Sequence, residues 1–117
     1  MSPSESILLV DDNASYLKTL GALLELEGYR VNQAHSVDAA IECLKHGEYS
    51  LVVLDWHLGD QSAAELLAQL GQVRPRPRVM ILTGLPEDLQ IEAADTVISK
   101  GDTLRHLFDS IHRLTAA

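Results

Sequence analysis

In "LLVDDN", residues 8–13, two aspartates stand side by side at the end of an apolar run. At about 4 Å and an effective dielectric of about 20, two ionised carboxylates repel by about 4 kcal/mol. A positive charge has to offset Asp11 and Asp12. Polar residues close three later apolar runs in the same way: Asp55 after "LVVL" (51–54), Thr83 after "VMIL" (79–82) and Lys100 after "TVIS" (96–99). Clustered carboxylate oxygens suit a hard cation such as Mg²⁺, which takes oxygen ligands and keeps several waters. An aspartate held beside such a cation, Asp55 above all, can act as a nucleophile toward phosphorus and give an acyl phosphate. The metal and Lys100 would neutralise charge on the transferring group, and the Thr83 hydroxyl would bind one of its oxygens. Each residue alone has a structural reading. Asp12 or Asn13 can cap a helix, Thr83 can sit in a turn, and Lys100 can be a surface lysine. Their meeting at one edge is what favours chemistry.

That meeting depends on the elements. The four apolar runs are continuous rather than alternating, the pattern of strands buried on both faces of a parallel sheet. "YRVNQA" (29–34) is more polar and reads as an edge strand. Helical periodicity fills the gaps between strands. Leu17, Leu20 and Leu24 share a face, with Gly28 able to end that helix. Val37, Ala40, Ile41 and Leu44 follow Ser36 as N-cap and precede Gly47. Ala63, Leu66, Leu67 and Leu70 precede Gly71, and Leu104, Leu107, Phe108 and Ile111 follow Asp102. Strand and helix alternate throughout, which predicts an α/β doubly wound domain with all strand carboxyl ends on one edge.

Composition sets outer limits. A chain of 117 residues, 46% of them apolar, is expected to be one globular domain, 1–117. The formal charge of −8 argues against a direct nucleic-acid ligand. "RPRPR" (74–78) is the one basic cluster and reads first as a proline-stiffened loop, with a docking patch for an acidic partner as the weaker option. The lone Cys43 fits a reducing compartment. No stretch approaches the roughly 20 apolar residues of a membrane span, and "MSPSES" lacks the features of a signal peptide, so a cytoplasmic protein is expected. His35, His46, His106 and His112 show no metal-ligand spacing and are expected at the surface. Trp56, next to Asp55, should point to the other face of its strand and pack under a helix.

"LLVDDN", "LVVLDWHLGD", "ILTG" and "ISK" together resemble the receiver domain of bacterial two-component response regulators, over essentially the full chain. The resemblance implies a flavodoxin-like (CheY-like) five-stranded parallel sheet of order 2-1-3-4-5. It implies that Asp55 is phosphorylated by a histidine kinase or a histidine phosphotransfer protein, with Thr83 and Lys100 contacting the phosphoryl group. It further implies Mg²⁺ held by Asp12, Asp55 and the backbone carbonyl of His57, with Asp11 acting through water. The output would be a downstream protein or a fused domain. The domain would be a signalling module rather than an enzyme acting on other molecules, and its oligomeric state is left open.

The departures from that family fall on the output side. Its usual proline four residues after the phosphoacceptor and glycine eight after are Gly59 and Ala63 here, and its Lys–Pro step is Lys100–Gly101. Where an aromatic residue commonly switches rotamer stands Val97. The segment from Thr83 to Lys100 is about one helical turn shorter than usual, leaving room for a shortened fourth helix. Leu85 and His57 occupy the positions that tune hydrolysis, and leucine cannot orient a water. The expectation is therefore an intact reaction centre with an altered readout; the alternative is a phosphorylation-independent interaction module. A haloacid-dehalogenase-type enzyme would need a second aspartate where His57 stands, and flavodoxin a hydroxyl-rich loop where "DDNASY" stands.

Overall fold

The computed structural model describes residues 5–58, 61–84 and 93–116. The chain runs β1 (Ser6–Val10), α1 (Ala14–Leu26), β2 (Arg30–Ala34), α2 (Val37–His46), β3 (Leu51–Asp55), β4 (His57–Leu58), β5 (Gln61–Ser62), α3 (Ala63–Leu70), β6 (Arg78–Thr83), β7 (Thr96–Ser99) and α4 (Leu104–Thr115). Five strands form one sheet in the order β2-β1-β3-β6-β7, every pair parallel. Counting only these five along the chain, the order is the expected 2-1-3-4-5. The two-residue strands β4 and β5 pair antiparallel as a small hairpin directly after Asp55. The expected short fourth helix, and with it Gly59 and Leu85, lies outside the described residues.

Alternation along the buried strands sorts the core into two layers. Leu8, Val10, Val52, Leu54, Val79 and Ile81 face one way and pack with α2 and α3 through Val37, Ala40, Ala63, Leu66 and Leu70. Ile7, Leu9, Leu51, Val53, Met80 and Leu82 face the other way and meet α1 and α4 through Leu17, Leu20, Leu24, Leu107 and Ile111. Burial on both faces is why these strands read as unbroken apolar runs. β2, at the edge, buries only Ala34 fully, as its polar sequence predicts. Trp56 packs with the α2–α3 layer, opposite the face of Asp55.

The helix ends follow the expected chemistry with one correction. Asn13 caps α1 by accepting the Tyr16 N–H, and Ser36 caps α2 by accepting the Ala39 N–H. Gly28 follows α1 at φ 98°, a conformation that side chains with a Cβ rarely adopt. At α4 the cap is Thr103, whose hydroxyl accepts the His106 N–H. Leu104, counted by periodicity on the inner face of α4, is 53% exposed, because as the first residue of the helix it lies past the edge of the layer. The "RPRPR" arginines are engaged by the chain itself. Arg74 donates to the carbonyls of Gly71 and Val73, Arg76 to that of Ala93, and Arg78 pairs with Asp95. That supports the loop reading over a docking patch. Among the described residues no helix is long and apolar enough to cross a membrane.

Candidate functional site

The carboxyl ends of β1, β3, β6 and β7 bring the sequence-predicted residues to one edge of the sheet. Asp11 follows β1, Asp55 ends β3, Thr83 ends β6 and Lys100 follows β7. Asp11, Asp55 and Thr83 are buried, between 2% and 4% exposed, whereas Asp12 is exposed. Strand register fixes their relative height. Asp55 lies opposite Leu82 and Thr83 opposite Ser99, while the Lys100 N–H donates to the Thr83 carbonyl at 2.9 Å.

Lys100 supplies positive charge to Asp11, the buried member of the acidic pair, and to Asp55. Its ammonium lies 2.9 Å from Asp11 Oδ2 and 3.2 Å from Asp55 Oδ2, so one cation bridges two buried carboxylates. The second oxygens are held by backbone: the Asn13 N–H donates to Asp11 Oδ1 at 3.0 Å and the His57 N–H to Asp55 Oδ1 at 3.2 Å. These bonds fix both rotamers. Asp11, Asp12 and Asp55 each place a carboxylate oxygen within 4.8 Å of the others. An all-oxygen, anionic set of that size fits a hard divalent cation.

The electrostatics follow from burial and neighbours. Desolvation raises the Asp55 pKa and the field of Asp11 adds to it, against the lowering effects of the His57 N–H and Lys100. For Lys100 burial pulls the pKa down, but hydrogen bonds to Asp11 and Asp55 and their charges outweigh it, so the net shift is upward. The lysine is therefore a firm cation at neutral pH.

Two participants were not legible as such in the sequence. Asn13 appeared only as a candidate cap, yet its N–H also fixes Asp11. Tyr16 did not register at all, and its ring lies 5.1 Å from the Lys100 ammonium. The available signal was position: Tyr16 sits in the first turn of the helix that starts at the crevice, where side chains lean back toward the N-terminus. The other histidines behave as expected. His46 pairs with Glu42, His106 with Asp102 and His112 with Tyr29, and all three are exposed. The bond from Lys100 to Gly101 is trans; among the described residues the only cis peptide bond is Arg74–Pro75. Val97 packs, partly buried, against the α2–α3 layer.

The family model for the response regulator receiver domain matches residues 7–111. The alginate biosynthesis transcriptional regulatory protein AlgB of Pseudomonas putida is 40% identical over 77 residues, 66% of this chain and 17% of AlgB. The chain thus corresponds to a small part of that relative's length. The response regulator protein TrrA of Thermotoga maritima, solved in complex with Mg²⁺–BeF, superposes with a TM-score of 0.83 at 26% identity, covering 94% of this chain and 98% of TrrA. A response regulator protein from Burkholderia pseudomallei, solved with a phosphorylated aspartic acid, calcium ion and citrate, gives a TM-score of 0.78 at 29% identity over 90% of this chain and 65% of its own.

Proposed function

Because the chain belongs to the response regulator receiver domain family, we propose that it is a phosphoacceptor of a two-component phosphorelay, with Asp55 as the residue modified. The observation that carries the reading is the crevice itself: three carboxylates within 4.8 Å of one another and a lysine bridging the two buried ones. The donor is a phosphohistidine of a histidine kinase or histidine phosphotransfer protein. An Asp55 oxygen attacks phosphorus as the phosphorus–nitrogen bond breaks, the electron pair leaves on the imidazole, and a mixed anhydride forms on Asp55.

Asp12, Asp55 and the His57 carbonyl would hold Mg²⁺, with Asp11 reaching it through water; when bound, the ion neutralises charge on the transferring group. The chain's own groups do the rest. The His57 N–H, bonded to Oδ1, leaves Asp55 Oδ2 as the attacking oxygen. Lys100 already touches Oδ2 and so lies beside the incoming phosphoryl group, offering its charge to an equatorial oxygen. The Thr83 hydroxyl takes another of those oxygens. Residues 1–117 act as one receiver domain in the cytoplasm. Its signal leaves through protein contacts with a downstream partner or a fused domain, since a charge of −8 opposes direct binding of nucleic acid.

Intact-protein mass after incubation with Mg²⁺ and acetyl phosphate tests the proposal. Wild type gains one phosphoryl group; Asp55→Asn and EDTA-treated wild type gain none. Absence of an adduct both with this donor and with phosphorylated histidine kinases would leave the phosphorylation-independent interaction module as the reading.

A further inference from the structure

The Tyr16 ring and the Lys100 ammonium, 5.1 Å apart, form a contact that the phosphoacceptor chemistry does not itself require. Lys100 is the only group among the described residues seen to pair with both buried aspartates. Yet its side chain remains 31% exposed, on a flexible four-carbon stem that water competes to extract. A cation over the face of a tyrosine is attracted by the ring quadrupole, and the ring also excludes water from one side of the ammonium.

Tyr16 is itself held in place from the crevice. The Asn13 side chain accepts the Tyr16 N–H at 3.1 Å, and the Asn13 N–H donates to Asp11 Oδ1 at 3.0 Å. Asp11 closes the loop by pairing with Lys100 through its other oxygen. Acid, cap, ring and lysine thus form a ring of contacts joining the start of α1 to the end of β7. The Tyr16 ring packs, partly buried, against the α1–α4 layer, which limits its rotation.

We propose that Tyr16 is a positioning residue: its ring holds the Lys100 ammonium over the Asp11–Asp55 carboxylates, so that the lysine is in place when a phosphoryl group arrives. The inference rests on the phosphoacceptor reading for its catalytic consequence, but not for the placement of the lysine. The hydroxyl plays no part in it; the ring face does. Phenylalanine should therefore replace tyrosine, and leucine, which keeps apolar volume without a π-face, should not.

Two readouts test it. In NMR spectra of the ¹³C-lysine-labelled protein without Mg²⁺ or phosphodonor, the Lys100 ε-methylene protons should lie upfield from the ring current. Tyr16→Leu should move them to the ordinary lysine position, and Tyr16→Phe should keep them upfield. In single-turnover phosphorylation by acetyl phosphate with saturating Mg²⁺, Tyr16→Leu should slow modification of Asp55 by about 3- to 10-fold, the range a cation–π contact supplies. Tyr16→Phe should stay within about two-fold of wild type. In a Lys100→Gln background, Tyr16→Leu should slow the reaction no further, whereas a ring that merely supports α1 would still show its effect there. Unshifted methylene protons in wild type, or a Leu variant phosphorylated at the wild-type rate, would overturn the inference. The NMR arm needs no phosphoryl transfer, so the lack of any adduct on wild type would count against the phosphoacceptor reading and leave the placement of Lys100 to be judged on its own.

Discussion

At the scale of single residues, the crevice is costly before any ligand arrives, and one lysine limits the cost. Removing one partner of a buried ion pair leaves an uncompensated charge and typically destabilises by about 3–5 kcal/mol. Lys100 is partly exposed, so Lys100→Met should cost less, about 2–3 kcal/mol without metal, read as a lowered denaturation midpoint. An unchanged midpoint would mean that water, not the lysine, already satisfies the acids. Asp55 should respond in the opposite direction. Its folded pKa is raised above the ordinary 3.8, so the native state holds the proton more tightly than the unfolded chain. Stability from this group is then greatest at low pH and falls as pH rises through the interval between 3.8 and the raised value. At pH 7 the ionised form is a burden, and Asp55→Asn, which leaves Lys100 its pairing with Asp11, should stabilise. The gap between variant and wild type should close as pH falls toward 3.8, and a gap that widened instead would contradict the direction of the shift. These residues were legible in the sequence as types at strand ends. Which acids the lysine bridges was not, because that depends on side-chain reach across a crevice that only the folded sheet creates.

At the scale of elements, periodicity located the helices and the unbroken apolar runs located the strands, because burial on both faces leaves no polar position inside a central strand. What periodicity cannot see is where a layer ends. Leu104 has the right spacing for the inner face of α4, yet it opens the helix beyond the last core contact and is 53% exposed. Leu107, one turn on, is 5% exposed. Leu107→Ala should therefore cost about 2–4 kcal/mol, the range for a buried leucine, while Leu104→Ala stays within about 0.5 kcal/mol. Comparable losses from the two, measured by urea denaturation, would restore the periodic reading. Periodicity does not place the cap of α4 either. Asp102 and Thr103 are both good N-cap types, and the sequence alone cannot choose between adjacent candidates. The choice fell to Thr103, while Asp102 hydrogen-bonds the Thr103 N–H and pairs with His106. The pairing of β4 with β5 was invisible for a different reason: two-residue strands carry no period.

At the scale of the whole molecule, the parallel connections that make the sheet gather charges from positions 11 to 100 at one edge, in a chain already carrying −8. Order along the chain foretold that edge, since every parallel strand must end on the same side; charge balance within it was beyond the sequence. Among the described residues, Lys100 is the one lysine paired within a cluster of three carboxylates, and that imbalance predicts a specific response to divalent cations. A ligand that binds the folded state alone stabilises it by RT ln(1 + [L]/Kd), about 1.4 kcal/mol at ten times Kd. For a domain of 117 residues this corresponds to a rise of about 5 °C in Tm. Screening of the overall charge would also raise Tm, but any salt of equal ionic strength would do that. Thermal unfolding in MgCl₂ and in NaCl at matched ionic strength separates the two effects. Wild type should gain about 5 °C more in MgCl₂. Asp12→Asn, which removes the exposed member of the triad, should lose most of that difference, and Asp38→Asn, an acid in the first turn of α2, should retain it. Equal gains in the two salts, or a full Mg²⁺ response in Asp12→Asn, would assign the effect to bulk charge and remove the crevice as a metal site.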